Sequence, residues 1–240
     1  IGGPLLGSLG GGIMAVKFGR RALDTLLLIA MALLVVIGGV AGVTYYLADS
    51  RSSRPEVQAL WLQQPRPLAP VVLWDDKQQP FGAAQLQGHW TLLFMGYTSC
   101  PDICPMTLTD LAQTMPTLAR EDLQVVMLSV DPERDDITTL NRYVNFFDPS
   151  FKAVTGEHSA LHPFSQSLGL VYAMVTPEPA QASQYWVDHS ADIVLINPDG
   201  QLEAVFRPTH SSFDPLNPQI PTVSMAQLTL ELPLIMGHRG

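Results

Sequence analysis

The sequence is poor in cysteine and in basic residues. Only two of its 240 residues are cysteines, and 13 Lys and Arg stand against 22 Asp and Glu. Two cysteines cannot supply the four thiolates that hold an iron–sulfur cluster within one chain. A chain with a formal charge of −9 also lacks the basic face on which nucleic-acid binding depends. We therefore expect no four-cysteine cluster and no nucleic-acid partner.

Hydrophobic residues, in contrast, are abundant. They make up 47% of the chain, which excludes a wholly disordered protein. The length suits one ordinary domain with an appendage better than two full domains. Residues 1–54 carry five basic and two acidic residues, whereas the remaining 186 carry eight basic and twenty acidic residues. This asymmetry predicts a small basic head followed by a large acidic body.

An apolar run without a formal charge dominates the head, from residue 25 to residue 47. At about 1.5 Å per residue, a helix of this length crosses the roughly 30 Å hydrocarbon core of a bilayer. A helix of a soluble core would show a polar face, and a cleaved signal peptide has an apolar run of only about 7–15 residues. We therefore predict an uncleaved transmembrane anchor over residues 23–47. Lys17, Arg20 and Arg21 precede it, so the positive-inside rule places the N-terminus in the cytoplasm and the body outside it.

Composition divides the rest of the chain. Residues 1–22 are predicted to form a glycine-rich, basic cytoplasmic segment, and residues 1–13 are expected to lie upstream of a natural start at Met14. Residues 48–67 are rich in proline and serine, which is typical of an exposed, extended linker. A folded domain is predicted over residues 68–236.

Strand and helix patterns alternate along this domain. Short apolar runs predict buried strands, and apolar residues at helical spacing predict helices. Together they predict an α/β fold with layers around a mixed sheet. The predicted strands are 71–74 with a partner near 81, 90–95, 125–130, 170–175, 193–196 and 202–206, and the predicted helices are 103–115 (ended by Pro116), 137–147 (capped by Asp135 or Asp136), 159–168 (followed by Gly169) and 222–232.

Both cysteines lie between a predicted strand and a predicted helix. Cys100 and Cys104 belong to the run SCPDICP, where free N–H groups and the helix dipole stabilise a thiolate. Residues at i and i+4 share a helix face with Cβ atoms about 5–6 Å apart, so the pair can close a disulfide or bind one metal ion. A structural disulfide over so short a loop stabilises weakly, which favours a functional site.

A third metal ligand must come from another residue type, and His189 is the best candidate. It lies in the run WVDHS directly before a predicted strand, where polar residues of α/β sheets commonly line the functional crevice. Asp188 either orients its imidazole or is simply a loop charge. Two thiolates and one imidazole satisfy Cu(I), whereas zinc prefers four ligands. The six histidines are His89, His158, His162, His189, His210 and His238.

Several stretches, in order and spacing, resemble the Sco/SenC family. They are FMGYTSCPDICP at 94–105, SVDPERD at 129–135, TG at 155–156, VDHSA at 187–191 and NPDG at 197–200. The similarity covers roughly residues 68–206. The family resemblance implies a thioredoxin-like fold, with a mixed sheet flanked by helices, and a membrane-tethered copper-binding protein. The first hypothesis is a copper chaperone, which is a metal carrier rather than an enzyme.

The resemblance also implies a site and a partner. Copper, as Cu(I) or Cu(II), would be held by Cys100, Cys104 and His189 and delivered to the binuclear copper centre of cytochrome c oxidase subunit II. The body would lie in the bacterial periplasm or an equivalent compartment. The alternative is a thiol–disulfide oxidoreductase in which Cys100 and Cys104 reduce the copper-ligand cysteines of the same partner. The C-x-x-x-C spacing favours metal, because generic reductants use C-x-x-C and do not need His189.

Overall fold

The computed structural model describes residues 19–49, 54–176, 185–208 and 221–238. The chain divides into two compact units, Ile1–Arg54 and Pro55–Gly240. Residues 1–13 and His210, which the sequence analysis considered, lie outside the described residues.

Helix α1, Arg20–Asp49, belongs to the first unit. Its stretch Asp24–Tyr45 is long and apolar enough to cross a membrane. The hydroxyl of Thr25 donates to the carbonyl of Arg21 at 2.8 Å, so this polar group is satisfied within the helix, as a lipid environment requires. The predicted apolar helix is thereby confirmed as a candidate membrane anchor.

The second unit contains ten strands and five helices among its described residues. The strands are β1 Leu60–Pro67, β2 Leu73–Asp75, β3 Pro80–Phe81, β4 Trp90–Gly96, β5 Leu123–Ser129, β6 Lys152–Thr155, β7 Tyr172–Val175, β8 Trp186–His189, β9 Ile193–Ile196 and β10 Gln201–Phe206. The helices are α2 Ala83–Leu86, α3 Ile103–Leu118, α4 Ile137–Phe147, α5 His158–Leu168 and α6 Met225–Gly237.

Eight of the strands form one mixed sheet in the order β1-β10-β9-β4-β5-β6-β2-β3. The central pairs β4–β5 and β5–β6 are parallel, and the other neighbours are antiparallel. Leu92 and Phe94 of β4 pack with apolar residues of α3, α4 and α6, whereas Leu93 and Met95 pack with those of α5. Since successive strand residues point to opposite faces, helices cover both faces, and the predicted α/β layers are confirmed.

The predicted linker over residues 48–67 is wrong at its C-terminal end. Leu60–Pro67 form strand β1, which pairs with β10 along the edge of the sheet. An edge strand tolerates prolines because one of its sides makes no ladder hydrogen bonds. The N–H groups of Gln58 and Ala59 donate to the carboxylate of Glu231 at 2.8 and 2.9 Å. The folded unit therefore begins earlier than predicted.

Helix α3 extends past its predicted end. Pro116 lies inside its last turn, and the helix continues to Leu118. A proline lacks only its own N–H, so the helix loses one hydrogen bond at this point. The N–H of Ala119, which adopts the left-handed conformation, closes the helix on the carbonyl of Met115 at 3.3 Å.

Two predicted helix boundaries are confirmed. The carboxylate of Asp136 accepts the N–H of Thr139 at 2.7 Å and caps α4. Gly169 ends α5 with a φ of 77°, a left-handed conformation that glycine adopts without steric cost.

Strands β7 and β8 form a separate two-stranded sheet. They pair antiparallel, with Tyr172 opposite His189 and Val175 opposite Trp186. Strand β7 falls within the predicted strand 170–175, whereas β8 was not predicted. In the part of the chain that the structure describes, neither strand pairs with the eight-stranded sheet. We call β7 and β8 the hairpin below.

Candidate metal centre

The cysteine loop joins the C-terminal end of β4 to the N-terminal end of α3. Cys100 lies in the loop and is half-buried, whereas Cys104 lies in the first turn of α3 and is 1% exposed. Both thiols are free. The N–H of Cys100 donates to the carbonyl of Tyr97 at 3.2 Å, which folds the loop back on the strand end. The predicted placement between a buried strand and a helix is confirmed.

Gly96, the last residue of β4, lets the strand approach the buried thiol. A Cβ atom at this position would lie 3.2 Å from Cys104 Sγ and 3.3 Å from Met127 Sδ. Real Cβ contacts are rarely so short, so any larger residue would push these sulfur atoms away. The absence of a side chain at Gly96 therefore leaves room for the Cys104 and Met127 sulfur atoms where they lie.

His189 reaches the cysteines from the end of β8. Its Nε2 atom lies 3.5 Å from Cys104 Sγ, and its Nδ1 atom lies 3.0 Å from the carbonyl oxygen of Ser190. A carbonyl can only accept, so Nδ1 carries a proton and donates it to Ser190, and Nε2 is the nitrogen that faces the cysteines. The Tyr97 ring meets the imidazole edge-on, with centroids 5.9 Å apart.

Asp188 does not orient this imidazole. It is exposed, because adjacent strand residues point to opposite faces and Val187 and His189 occupy the inner one. The carbonyl of Ser190 takes the role that was considered for Asp188. A backbone carbonyl carries no signal in the sequence, which is why residue type alone suggested the neighbouring carboxylate.

Cys100, Cys104 and His189 bring their sulfur and nitrogen atoms within 4.8 Å of one another. Among the described residues, no other group of three or more His, Cys, Asp or Glu side chains comes this close together. Metal–ligand bonds of about 2.0–2.3 Å separate three ligands around one ion by roughly 3.5–4 Å. Two sulfurs and one imidazole suit a soft, three-coordinate ion such as Cu(I), and ligand atoms within 4.8 Å of one another need only a small approach to bind it.

The two thiols share one proton unequally. The thiol of Cys104 donates a hydrogen bond that lowers the pKa of Cys100 to about 4, against the opposing effect of burial, and His189 adds to the lowering. The same hydrogen bond, together with burial, raises the pKa of Cys104 above its ordinary value. The half-buried sulfur is therefore the thiolate, and the buried one keeps the proton.

Asp135 fastens the cysteine loop to the strand beside it. It is 1% exposed, and its carboxylate accepts the Thr98 N–H at 3.0 Å, the Thr98 hydroxyl at 2.5 Å and the Ser129 hydroxyl at 2.6 Å. Burial raises the pKa of Asp135, while these donors oppose the shift. From the sequence, Asp135 was predicted only as an alternative helix cap to Asp136. A helix needs only one capping residue, so the presence of two adjacent aspartates was the signal that one of them has another role.

A small cavity opens beside Cys104 and His189. Its lining residues are Phe94, Met95, Ile103, Cys104, Thr107, His189 and Ala191. The buried thiol thus borders a small cavity lined mostly by apolar residues.

The other described histidines lie away from the cysteines. His89 is exposed, and His238 meets the Trp61 ring edge-on at 5.2 Å. His158 contacts the Tyr172 hydroxyl at 2.9 Å through Nδ1, and His162 stacks on the Tyr172 ring at 4.5 Å. Of the described histidines, only His189 therefore joins the cysteine pair.

The family model described as SCO1/SenC matches residues 63–219. A protein of Stutzerimonas stutzeri whose name refers to copper binding is 34% identical over 162 residues, which cover 66% of this chain and 78% of that protein. The mitochondrial SCO2 homolog of Mus musculus is 39% identical over 132 residues, which cover 53% of this chain and 51% of that protein. The chain spans 45–60% of the length of the vertebrate mitochondrial relatives that it matches.

Solved structures show the same architecture. The crystal structure of Arabidopsis thaliana ScoI with copper bound is 27% identical and has a TM-score of 0.60 over 72% of this chain and 99% of that chain. Together with the mixed sheet and its flanking helices, this likeness confirms the predicted thioredoxin-like fold.

Proposed function

Since this chain belongs to the SCO1/SenC family, we propose that it is a membrane-tethered copper chaperone whose cargo is held by Cys100, Cys104 and His189. The observation that carries the proposal is the convergence of two sulfur atoms and one imidazole nitrogen within 4.8 Å. Thiolates favour Cu(I), which needs no fourth ligand. The relatives whose names or titles mention copper support this choice of metal.

The three ligands are prepared for copper to different degrees. The lowered pKa of Cys100 provides one thiolate at neutral pH, and the Ser190 carbonyl holds His189 with Nε2 facing the site. The raised pKa of Cys104 means that its proton leaves when the metal binds, as metal binding to a thiol requires. Cys100 is the less buried sulfur, so copper passes to and from a partner on its side of the site.

The proposed recipient is the binuclear copper centre of cytochrome c oxidase subunit II. Membership in the SCO1/SenC family supports this partner, and the names of the vertebrate relatives refer to mitochondria. A membrane anchor would keep the acidic body near a membrane-embedded oxidase, and the copper donor is a separate partner. No nucleic acid is expected to bind a body of this charge.

The proposed topology has the N-terminus in the cytoplasm and the body in the periplasm or an equivalent compartment. Arg20 and Arg21 lie at the start of α1, and with Lys17 they give this end the charge that stays inside. A reporter that is active only outside the cytoplasm, fused after Gly240, should be active. A cytoplasmic reporter at the same place should be silent, and the reverse pattern would contradict the topology.

A thiol–disulfide oxidoreductase is the second candidate. Two free thiols of opposite pKa shift favour it, because an exchange reaction needs an attacking thiolate and a second thiol to resolve the mixed disulfide. In that reaction Cys100 attacks a partner disulfide and Cys104 then displaces the reduced partner. The two electrons come from the cysteines, which end as a disulfide.

Substitution of His189 separates the two candidates. A copper chaperone should lose about 10–100-fold in Cu(I) affinity with His189→Ala and should fail to support oxidase assembly in cells. A reductant should keep most of its activity with His189→Ala and lose it with Cys100→Ser or Cys104→Ser. The measurements are copper stoichiometry and competition against a Cu(I) chelator on purified full-length protein, alongside oxidase assembly with each variant. Unchanged affinity and full assembly with His189→Ala would refute the chaperone proposal.

A further inference from the structure

The hairpin that carries His189 depends on side-chain contacts for its position. Its two strands pair with each other, and among the described residues neither extends the eight-stranded sheet. The distance between His189 and the cysteines is therefore not fixed by a continuous backbone ladder. One tie comes from β7, where the Tyr172 hydroxyl meets His158 of α5 at 2.9 Å.

A more extensive tie lies at Tyr185, the residue before β8. Its hydroxyl donates to Asp131 Oδ1 at 2.6 Å, and its carbonyl accepts from Arg134 Nη1 at 3.0 Å. The Arg134 guanidinium also covers the Tyr185 ring, 3.9 Å from its centroid. Asp131 Oδ2 in turn accepts from Arg134 Nε at 2.5 Å. Asp131 is fully buried, so these contacts are charge-assisted and partly shielded from water.

The same turn also holds the cysteine loop. Residues 131–135 follow β5, and Asp135 at the end of this turn binds Thr98 through both its N–H and its hydroxyl. The N–H groups of Arg134 and Asp135 both donate to the Asp131 carbonyl, at 3.1 and 2.9 Å, which makes the turn a compact unit. One five-residue turn thus contacts both parts of the site.

We propose that the turn 131–135 is the bracket that sets the distance between His189 and the cysteine pair, with Tyr185, Asp131 and Arg134 as positioning residues. This proposal rests on the proposed copper site and names the residues that assemble it. The three positioning residues do not touch the cargo. They act through His189, because Tyr185 directly precedes β8, the strand that ends at His189.

The test is a coupling measurement on the full-length protein. Tyr185→Phe keeps the ring under Arg134 and removes only the hydroxyl, including its longer contact with Glu133 at 3.5 Å. It should weaken Cu(I) affinity about tenfold, at the low end of the effect of residues that orient metal ligands. In a His189→Ala background, the same change should have no effect, because the ligand that it positions is absent.

A second variant and two controls keep this test independent of folding. Arg134→Gln should show the same dependence on His189 if Tyr185→Phe does not fold. Arg120→Gln is its matched control, because Arg120 forms an exposed pair with Asp122 at 2.6 Å. Thr229→Val is the control for loss of a hydroxyl, since that hydroxyl donates to the Met225 carbonyl within α6 at 2.7 Å. Both controls should leave Cu(I) affinity unchanged in either background.

A measurement without metal separates this proposal from the proposed function. In the reduced, metal-free protein, the Tyr97 and His189 rings are close enough, with centroids at 5.9 Å, to give proton cross-peaks by nuclear magnetic resonance. Tyr185→Phe should weaken these cross-peaks and Thr229→Val should not. Weakened cross-peaks in a protein that binds no copper would uphold the bracket and refute the chaperone. Unchanged cross-peaks, or equal affinity losses with and without His189, would overturn the bracket.

Discussion

The two parts of the candidate site are held in place in different ways. Cys104 belongs to a helix that follows β4, a strand paired on both sides within the large sheet, and it is buried in the apolar core. His189 belongs to a two-stranded hairpin outside that sheet, which packs Val187 into the same apolar cluster and is tied to the rest of the unit by polar contacts. The comparison indicates that Cys100 and Cys104 are held rigidly by the large sheet and its core, and we call this pair the platform. His189 is held by separate contacts of the hairpin.

The largest expected effect on stability comes from Asp135, which fastens the cysteine loop. Asp135→Ala leaves the buried donors of Thr98 and Ser129 unpaired, and each such group costs about 1–3 kcal/mol, so we expect a loss of about 3 kcal/mol in the free energy of unfolding. Its neighbour Asp136 caps α4 at the surface, and Asp136→Ala should cost only about 1 kcal/mol. Urea denaturation of the reduced, metal-free protein measures both. Equal losses would contradict the special role of Asp135.

The next effect concerns the ionisation of the Cys100 thiol. With a pKa of about 4, Cys100 stays ionised from pH 6 to pH 8, so its alkylation by iodoacetamide should hardly change over this range. An ordinary thiol with a pKa of about 8.5 gains roughly 100-fold in rate over the same interval. Cys104→Ala removes the main cause of the lowered pKa and should make the profile steep. His189→Ala should also make the pH profile steeper, but less than Cys104→Ala does. Peptide mass spectrometry measures the alkylation of Cys100 in each variant, and a larger effect of His189→Ala would contradict this prediction.

A smaller effect is expected at Gly96, where β4 approaches the buried thiol. In Gly96→Ala, the added methyl group would press on Cys104 Sγ and Met127 Sδ, and such overpacking should cost about 1.5 kcal/mol. Gly237→Ala is the matched control, because a Cβ atom there meets nothing within 4 Å. Thermal unfolding of the two variants gives the comparison. An unchanged midpoint for Gly96→Ala would show that the residues around Cys104 accommodate the methyl group without a loss of stability.

The smallest effect is expected from removing the first unit. The second unit, Pro55–Gly240, has its own sheet and two apolar clusters, so deletion of residues 1–54 should change its free energy of unfolding by less than about 0.5 kcal/mol. The truncated protein should unfold cooperatively and stay monodisperse without detergent. Aggregation or a missing transition would show that the unit does not fold alone.

The cysteine pair and its surroundings are easier to predict from the sequence than the hairpin, for a physical reason. Strand β4 is a continuous apolar run buried on both faces, and Cys100 and Cys104 are rare residue types at a recognisable spacing. Both signals are local. Strand β8 has four residues, of which Trp186 and Asp188 are exposed, and its register with β7 comes from tertiary contacts. A short strand of mixed polarity gives little periodic signal.

The pairing of edge strand β1 and the burial of the turn 131–135 were also not predicted. Prolines indicated a linker, yet an edge position tolerates them, and only the structure shows that β10 is available to pair. The turn carries several charged residues, which are typical of a solvated surface. Asp131 and Asp135 are buried instead, because donors from distant parts of the chain surround their carboxylates. Such partners cannot be found from sequence spacing.

X-ray absorption at the copper edge tests the central claim most directly. Full-length protein, reduced and loaded with one equivalent of Cu(I), should show two sulfur ligands and one nitrogen ligand, and His189→Ala should lose the nitrogen while it keeps both sulfurs. Fewer than two sulfur ligands in the unaltered protein, or a spectrum that His189→Ala leaves unchanged, would contradict a site formed by Cys100, Cys104 and His189.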